Sequence, residues 1–413
     1  MISILRKLGP GLLFAGAAIG VSHLVQSTKA GAEYGLGLLW ALLIVNLFKY
    51  PFFEFGPRYA GATGESLLDG YRRLGKPYLL LYFILSLGTM FTIQTAVTIV
   101  TAGIADSLFG SVNFLNLQSL GFSGVEIWTV IILIVCCVIL VVGKYKTLDK
   151  LIKILIILLA LSTLTAVIIL NTKTNTTLHL EFFWPVSQTD LIFLIAFMGW
   201  MPAPIDVSVF HSLWVEEQTE KSTNFNTKEA LFDFNIGYMA TVVIGILFVL
   251  LGALVLFNSG ETFGVGAAEF ASQLVGLYTS ALGEWSAVII GVAALSAMWS
   301  TTITTLDASP RAMARSVQLL FRKSFFSSYY FWLALLTVGT IIIFLFLASE
   351  MALLVRIATV LSFITAPVYA VLNFWLISSK HTPLEHQPGT YLKLLSWAGI
   401  LFLIIFGIWF LVS

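Results

Sequence analysis

The feature that most constrains this chain is a series of long apolar runs separated by short polar linkers. Hydrophobic residue types make up 58% of the sequence and charged types only 10%, with a mean hydropathy of +0.95. Soluble domains carry about 25% charged residues. These values exclude a soluble enzyme and a disordered chain, and a net charge of +1 excludes a nucleic-acid-binding protein. The chain is predicted to be a multi-pass integral membrane protein.

The length of the runs predicts membrane helices rather than barrel strands. A helix needs about 20 apolar residues to cross a bilayer, whereas barrel strands alternate over about 10 residues. Eleven spans are predicted, near residues 11–29, 36–55, 78–106, 125–142, 151–170, 190–213, 234–257, 285–307, 329–348, 351–377 and 391–411. No linker is long enough for a second domain, so residues 1–413 are predicted to form one transmembrane domain.

The basic residues predict the orientation of the chain. Of the 22 Lys and Arg residues, nearly all fall on the linkers of one side; the exceptions are Lys29, Lys49, Lys173 and Arg356. Because cytoplasmic loops are enriched in Lys and Arg, the N-terminus is expected in the cytoplasm and the C-terminus outside, in a bacterial inner membrane. Lys49 and Glu54 are spaced for a structural contact at the inner end of the second span.

Two spans are poor lipid-facing helices. The first holds polar groups in its second half, namely Ser22, His23, Gln26, Ser27, Thr28 and Lys29. The sixth holds two prolines followed by ionisable groups, namely Pro202, Pro204, Asp206 and His211. Proline removes a backbone donor and clashes with the preceding turn, and a charge inside the membrane must face protein or water. Both spans are predicted to be discontinuous.

The spacing of the two interruptions favours a transporter with an inverted repeat. Five spans precede the sixth, which predicts repeats at about 11–170 and 190–377 and an extra helix at about 391–411. In such all-α folds the two broken helices form the substrate site at the midplane. Another interpretation stays open, in which the prolines only kink one long helix and the first span ends in an interfacial loop from Gln26 onward.

The stretch GPGLLFAGAAIGVSHLVQSTKAGAEYGLGLLW, at residues 9–40, resembles the first helix of the NRAMP transporters, the natural resistance-associated macrophage proteins. Further similarity lies at Asn46, Gly64-Glu65, Met201-Pro202 and His211-Ser212. The resemblance covers the whole chain in layout. It implies a two-repeat fold of the amino acid–polyamine–organocation type and an activity of proton-coupled divalent metal uptake.

The first and third spans depart from the family pattern. Where NRAMP metal transporters carry Asp-Pro-Gly-Asn, this chain has Gly20, Val21, Ser22 and His23, so one metal-binding carboxylate is absent. The acidic proton pathway of the family corresponds to Gln94 and Val97 here. Because a neutral amide cannot carry a proton, proton coupling is predicted to be weak or absent.

The sixth span can be compared with the family in two registers. The family has Met-Pro-His, and here Ala203 follows Met201-Pro202. If His211-Ser212 is the anchor instead, Pro204 takes the position of the Met and Asp206 that of the His. The two registers differ by three residues, and both stay open.

The candidate site follows from these residues. Imidazole, carboxylate and thioether groups bind transition metals, so the predicted metal ligands are His23, Asp206 and Met201. The predicted substrate site also includes Gly20, Ser22, Gln26 and Ala203, and the proton-pathway candidates are His211 and Gln94. A divalent metal is expected as substrate, with no cofactor. The expected partners are the lipid bilayer and a small ion or solute, with no obligate protein partner.

The leading hypothesis is a secondary transporter of NRAMP-like fold with a remodelled central site. An alternative is a carrier of a non-metal small solute on the same scaffold. A third is a non-transporting sensor, but no long loop or tail is present to relay a signal. The sequence has no phosphate-binding loop, nucleophile elbow or HExxH motif, so an enzyme is not predicted.

Overall fold

The computed structural model describes residues 9–110, 122–143, 145–173, 182–221, 226–257, 263–264, 266–321, 325–347 and 351–412. Within these ranges the regular secondary structure is helical, and no strand is present. This agrees with the predicted all-α class, because helices satisfy their own backbone groups where no water is available.

The first half of the chain holds α1 (Pro10–Ala18), a π-helical segment (Ser22–Ser27), α2 (Thr28–Tyr34), α3 (Leu39–Thr63), α4 (Leu67–Leu74), α5 (Lys76–Phe109), α6 (Gly124–Val142) and α7 (Tyr145–Lys173). The second half holds α8 (Gln188–Trp200), α9 (Val207–Lys221), α10 (Thr227–Val255), α11 (Ala267–Leu282), α12 (Ser286–Phe321), α13 (Tyr329–Leu347), α14 (Met351–Ile377) and α15 (Thr390–Val412). Short 3-10 turns lie at Phe325–Ser327 and Leu384–His386.

In the described part of the chain, eight helices are individually long and apolar enough to cross a membrane, namely α3, α5, α6, α10, α12, α13, α14 and α15. A ninth span results if α1 and the helical stretch from the π-helical segment through α2, which meet at a bend of 47°, are taken as one. Shorter apolar stretches lie at Ile157–Thr172 in α7 and along α8. A multi-pass helical membrane protein is confirmed, while the count of eleven spans and the inverted repeat stay predictions.

Several helices extend beyond the predicted spans on the side where the basic residues gather. α3 continues to Thr63, where Gly64 at φ +70° ends it, and α12 continues to Phe321. The predicted linker after α3 contains α4, whose Asp69 accepts a hydrogen bond at 2.5 Å from Arg315 of α12. Hydropathy locates only the apolar part of a helix, so the sequence could not show that these polar ends remain helical.

Small residues let α10 pack directly against the first broken helix. A Cβ atom added to Gly252 would lie 2.1 Å from the carbonyl oxygen of Thr28, and one added to Gly31 would lie 2.0 Å from that of Val249. Such backbone-to-backbone packing is typical of membrane helices with glycine at the interface. α10 therefore holds α2 at a fixed distance and orientation.

The start of α1 is also fixed by α10, which contributes a carboxylate. Asp233 of α10 accepts backbone hydrogen bonds from Gly9 at 3.1 Å and from Gly11 at 2.7 Å. The first N–H groups of a helix have no partner within it, and a carboxylate at that end is favoured by the helix dipole. The first broken helix is thus held by α10 at both ends.

Candidate functional site

The first interruption lies between Ala18 and Ser22. Thr301 of α12 places its hydroxyl 3.2 Å from the carbonyl oxygen of Gly16 and 3.4 Å from that of Ile19, near the end of α1. A Cβ atom on Gly20 would lie 2.6 Å from Thr301 Oγ1. Gly20, a predicted site residue, therefore allows close packing of the break against α12.

The second interruption is longer and occupies residues 201–206. α8 ends at Trp200 and α9 begins at Val207, and the peptide bond between Met201 and Pro202 is cis. The alternative of one kinked helix is therefore wrong at this span. The alternative of an interfacial loop after Gln26 is also wrong, because the chain is helical from Ser22 through Tyr34. Both predicted interruptions are present.

A buried lysine lies at the second interruption. Lys49 of α3 is fully buried, and its Nζ donates hydrogen bonds to the carbonyl oxygens of Met198 and Gly199, each at 2.7 Å. A third carbonyl oxygen, that of Ala203, lies at 3.4 Å. Carbonyl groups at the C-terminal end of a helix lack intrahelical partners. The ammonium group also interacts electrostatically with the carboxylate of Asp206.

The predicted contact between Lys49 and Glu54 is wrong. Glu54 accepts hydrogen bonds from Nε of Arg58 at 2.9 and 3.0 Å, one helical turn further along α3. Side chains four residues apart share a face of a helix, whereas those five apart diverge. Lys49 consequently points away from Glu54 and toward α8.

A central cavity of about 30 Å³ lies between the two interruptions. The predicted residues Ser22, Ala203 and Asp206 line it together with two threonines of α12, Thr301 and Thr305. The remaining lining residues are Ala17, Ala18, Val21, Ile93, Val97, Trp200, Pro204, Val207, Phe210 and Ser309. A cavity of this size holds about one water molecule, so it also suits an ion that has lost most of its hydration shell.

Among the described residues that line this cavity, Asp206 has the one ionisable side chain. It is 5% exposed, and its Oδ1 has no hydrogen-bond partner. The residue directly precedes α9, where the N-terminal end of the helix dipole favours a negative charge. A buried carboxylate oxygen without a partner is costly, so this atom is available to a cation in the cavity.

His23 and Met201 are close to each other but do not line this cavity. The His23 ring contacts the Ser22 hydroxyl through Nδ1 at 2.7 Å and the Thr241 carbonyl oxygen through Nε2 at 2.9 Å. Its Cδ2 and the sulfur of Met201 both pack on Gly245 of α10. Two of the predicted metal ligands therefore lie outside the cavity that Asp206 lines. In the described residues no group of three or more His, Cys, Asp or Glu side chains is placed to hold a metal ion.

Ser22 connects the two interruptions. Its hydroxyl lies 2.8 Å from the carbonyl oxygen of Ala18, the last residue of α1, and 3.3 Å from that of Pro202 in the second break. Because Nε2 of His23 faces a carbonyl group, it carries the ring proton, and Nδ1 competes with the carbonyl oxygens of Ala18 and Pro202 for the single proton of the Ser22 hydroxyl. His23 therefore fixes the hydroxyl that lines the cavity.

The two proton-pathway candidates have different surroundings. Gln94 of α5 accepts a hydrogen bond from Thr305 Oγ1 at 2.8 Å and donates to the carbonyl oxygen of Thr302 at 3.3 Å, so it joins α5 to α12 beside the cavity. His211 of α9 is fully buried and stacks on Phe14 at 5.6 Å between ring centroids. Neither of its ring nitrogens has a hydrogen-bond partner.

Gln26 lines a second cavity of about 380 Å³ rather than the central one. Lys29, Glu33 and Arg356 also line this larger cavity, and Lys29 pairs with Glu33 at 3.4 Å. The predicted orientation places this region at the outer side of the membrane. The outer cavity therefore carries charges of both signs.

Sequence reasoning missed the roles of Lys49 and Thr305. A lysine within an apolar run is a signal, because membrane charges are rare and tend to be functional. That signal does not indicate that the partners of Lys49 are carbonyl groups of α8, which lies far along the chain. Nothing in the sequence distinguishes Thr305 from threonines that only hydrogen-bond to their own helix.

Comparison with known proteins places this arrangement in a family. Residues 11–413 match the family described as natural resistance-associated macrophage protein-like. An uncharacterized protein of Pasteurella multocida (strain Pm70) is 34% identical over 411 residues, which cover 98% of this chain and 91% of that protein.

Solved structures show the same fold. A manganese transporter of Eremococcus coleocola, in complex with an aromatic bis-isothiourea substituted compound, has a TM-score of 0.74 at 15% identity, over 97% of this chain and 84% of that one. MhsT in complex with L-phenylalanine has a TM-score of 0.67 at 15% identity, over 97% and 98% of the two chains. The match along nearly the whole sequence shows that this chain belongs to the natural resistance-associated macrophage protein-like family of membrane transporters.

Proposed function

We propose that this chain is a secondary transporter that carries a small cation, a divalent metal ion as in its family, through the central cavity. The observation that carries this proposal is Asp206, a carboxylate that is 5% exposed, lines the cavity and has an oxygen without a hydrogen-bond partner. A cation bound there offsets the cost of burying the charge.

The lining favours a hard cation. Asp206 supplies a carboxylate, and the side chains of Ser22, Thr301 and Thr305 supply hydroxyl oxygens. Oxygen ligands suit Mg²⁺ and Mn²⁺ better than soft ions, which prefer sulfur. Asp206 is therefore the anionic ligand in this proposal, and His23 positions the Ser22 hydroxyl instead of binding metal directly.

The transport cycle in this proposal depends on movement at the interrupted helices. The predicted inverted repeat of eleven spans would open the cavity first to one side of the membrane and then to the other. The N-terminus lies in the cytoplasm, the C-terminus outside, and the membrane is the bacterial inner membrane. The ion pairs of Arg58, Arg73, Arg311 and Arg315 gather on the predicted inner side, which supports this orientation.

Proton coupling is proposed to be weak or absent. Gln94 has a neutral amide that hydrogen-bonds to Thr305 and to the Thr302 backbone, which gives it a structural role between helices. His211 lies among aromatic rings with both ring nitrogens unpartnered, so no hydrogen-bonded relay leads from it.

A second candidate function is transport of a small non-metal solute. The outer cavity of about 380 Å³ is large enough for a small organic molecule, and Lys29, Glu33 and Arg356 could hold groups of both signs. Lys49 also offsets the charge of Asp206, which lowers the attraction of the central cavity for a divalent ion.

A flux measurement in proteoliposomes tests the proposal. The wild-type chain is expected to take up Mn²⁺ in a saturable way, and Asp206→Asn to lower uptake at least about tenfold, which corresponds to about 1.4 kcal/mol. The matched control is Glu385→Gln, because Glu385 has a side chain that is 81% exposed and lies far along the chain from the cavity. Wild-type uptake by Asp206→Asn would contradict the assignment. Indifference of the wild-type chain to every divalent ion, combined with uptake of an organic solute, would favour the second candidate.

A further inference from the structure

The environment of Lys49 is unusual for a membrane lysine. The side chain neither reaches the membrane surface nor forms a close ion pair: Nζ is buried against three carbonyl oxygens of Met198, Gly199 and Ala203. Two of these belong to the last turn of α8, where the helix dipole is negative. An array of carbonyl oxygens at the end of a broken helix is the type of site that binds a diffusible cation in other transporters.

We infer that Lys49 is a resident cation of the second interruption, which occupies the carbonyl end of α8 and makes a diffusible co-transported cation unnecessary there. The ammonium group supplies the positive charge and the N–H donors that the carbonyl groups need. Because it is covalently attached to α3, it cannot leave during the transport cycle.

The same group also determines the charge at the site. Lys49 and Asp206 interact electrostatically, and their formal charges cancel. Removing Lys49 leaves both the carbonyl groups and the carboxylate without their positive partner. The site would then attract a second cation, a consequence that depends on the transport function proposed above.

The direct test is chemical rescue of Lys49→Ala, followed by thermal unfolding of the full chain in detergent without divalent ions. The substitution removes the atoms of an n-propylammonium ion. We expect the unfolding temperature of Lys49→Ala to rise by about 5 °C with millimolar n-propylammonium. It should not rise with tetramethylammonium, which has no N–H donor.

Two controls make this result specific. The wild-type chain and Lys393→Ala, which lacks an exposed lysine, should show no difference between the two ammonium ions. An equal response of Lys49→Ala to both ions, or no response to either, would overturn the inference.

A second pair of variants covers the case in which Lys49→Ala does not fold. Lys49→Met leaves Asp206 uncompensated, whereas Lys49→Met combined with Asp206→Asn removes both charges together. The double variant should fold in better yield and unfold at a higher temperature than Lys49→Met alone. A double variant no more stable than the single one would show that the two charges are not coupled, and would overturn the inference.

A transport measurement separates this inference from the proposed function. Uptake by the wild-type chain should not depend on Na⁺, and Lys49→Ala should acquire a saturable Na⁺ dependence of at least about threefold. Lack of Na⁺ dependence in a variant that still transports Mn²⁺ would contradict the resident-cation role and leave the Asp206 site intact. Absence of Mn²⁺ uptake by the wild-type chain would contradict only the proposed function. The resident-cation inference would still be tested, because the unfolding measurements do not depend on a transported substrate.

Discussion

The two interrupted helices meet at one cavity but are stabilised by different chemistry. At the first, neutral hydroxyl groups of Thr301 and Ser22 contact carbonyl groups of α1. At the second, the charged groups of Lys49 and Asp206 lie at the end of α8 and the start of α9. The first break is also short and bends by 47°, whereas the second extends over residues 201–206.

This difference indicates a division of roles. Hydroxyl groups can exchange one carbonyl partner for another at little cost, which suits a hinge. Buried charges are strong and specific, and removing one partner leaves the other uncompensated. We therefore expect substitutions at the second break to alter stability and ion preference, and those at the first to alter mainly packing and motion.

The largest expected effect belongs to Lys49. Replacing it by methionine removes the charge at nearly constant volume and leaves the carbonyl groups of α8 without their charged donor, which should lower the free energy of unfolding by about 1.5–3 kcal/mol. The measurement is thermal unfolding in detergent, with Lys393→Met as the control. An unfolding temperature equal to that of the wild type would show that the second break does not depend on charge.

Gly20 provides the corresponding test of the first break. Alanine at this position places a Cβ atom 2.6 Å from Thr301 Oγ1, so overpacking should cost about 1–3 kcal/mol. Combining it with Thr301→Ala should restore part of the lost stability, since the clashing atoms are removed. If the double variant loses more free energy of unfolding than the two single variants together, the clash with Thr301 is not the cause of the loss.

Removing only the hydroxyl at the first break should have a smaller effect. Thr301→Val keeps the shape of the side chain and removes the single hydroxyl proton that the carbonyl groups of Gly16, Ile19 and Ala297 share, at a cost of about 1 kcal/mol. Thr165→Val is the matched control, because the Thr165 hydroxyl binds only within α7 on an exposed face. Equal losses of stability in Thr301→Val and Thr165→Val would show that the Thr301 hydroxyl has no specific role at the first break.

The smallest effect concerns pH and Glu216, which lies in the C-terminal half of α9. Burial, together with the nearby carboxylates of Asp69, Glu220 and Glu65, raises the pKa of Glu216 to about 7 from its ordinary 4.5, although Arg315 opposes this. Glu216 lies beyond the predicted span at 190–213. Because the folded-state pKa is raised, this stabilising contribution is complete below the ordinary pKa and is lost as pH rises through about 7.

The wild-type unfolding temperature should therefore decrease between about pH 4.5 and 7, and this decrease should be smaller in Glu216→Gln. The comparison is made at constant ionic strength, with Glu385→Gln as the control. Identical pH profiles for wild type and Glu216→Gln would exclude this residue as the cause.

The sequence predicted the class of the protein and both interruptions because their signals are local. Long apolar runs indicate membrane helices, and Pro202, Pro204 and the polar residues after Gly20 indicate where two of them break. The approximate location of Asp206 beside Ser22 followed from the same pattern. The family resemblance is confirmed by the match along the chain, while the eleven spans and the inverted repeat that it implied stay predictions.

The directions of the side chains could not be predicted, because they depend on neighbouring helices. His23 contacts the Thr241 carbonyl, and His23 and Met201 both pack on Gly245 of α10, outside the central cavity. The carbonyl partners of Lys49 lie 149 to 154 residues further along the chain. No pattern within one helix specifies contacts of that separation, so the role of Lys49 required the three-dimensional arrangement.

The central claim is that the transported cation binds to Asp206 between the two breaks. The most direct measurement is a crystal structure of the full chain grown with Mn²⁺, with anomalous scattering recorded at the manganese edge. We expect an anomalous peak within coordination distance of the Asp206 carboxylate and beside the Ser22 hydroxyl. A peak on the His23 and Met201 side of α10, or in the outer cavity beside Glu33, would contradict it.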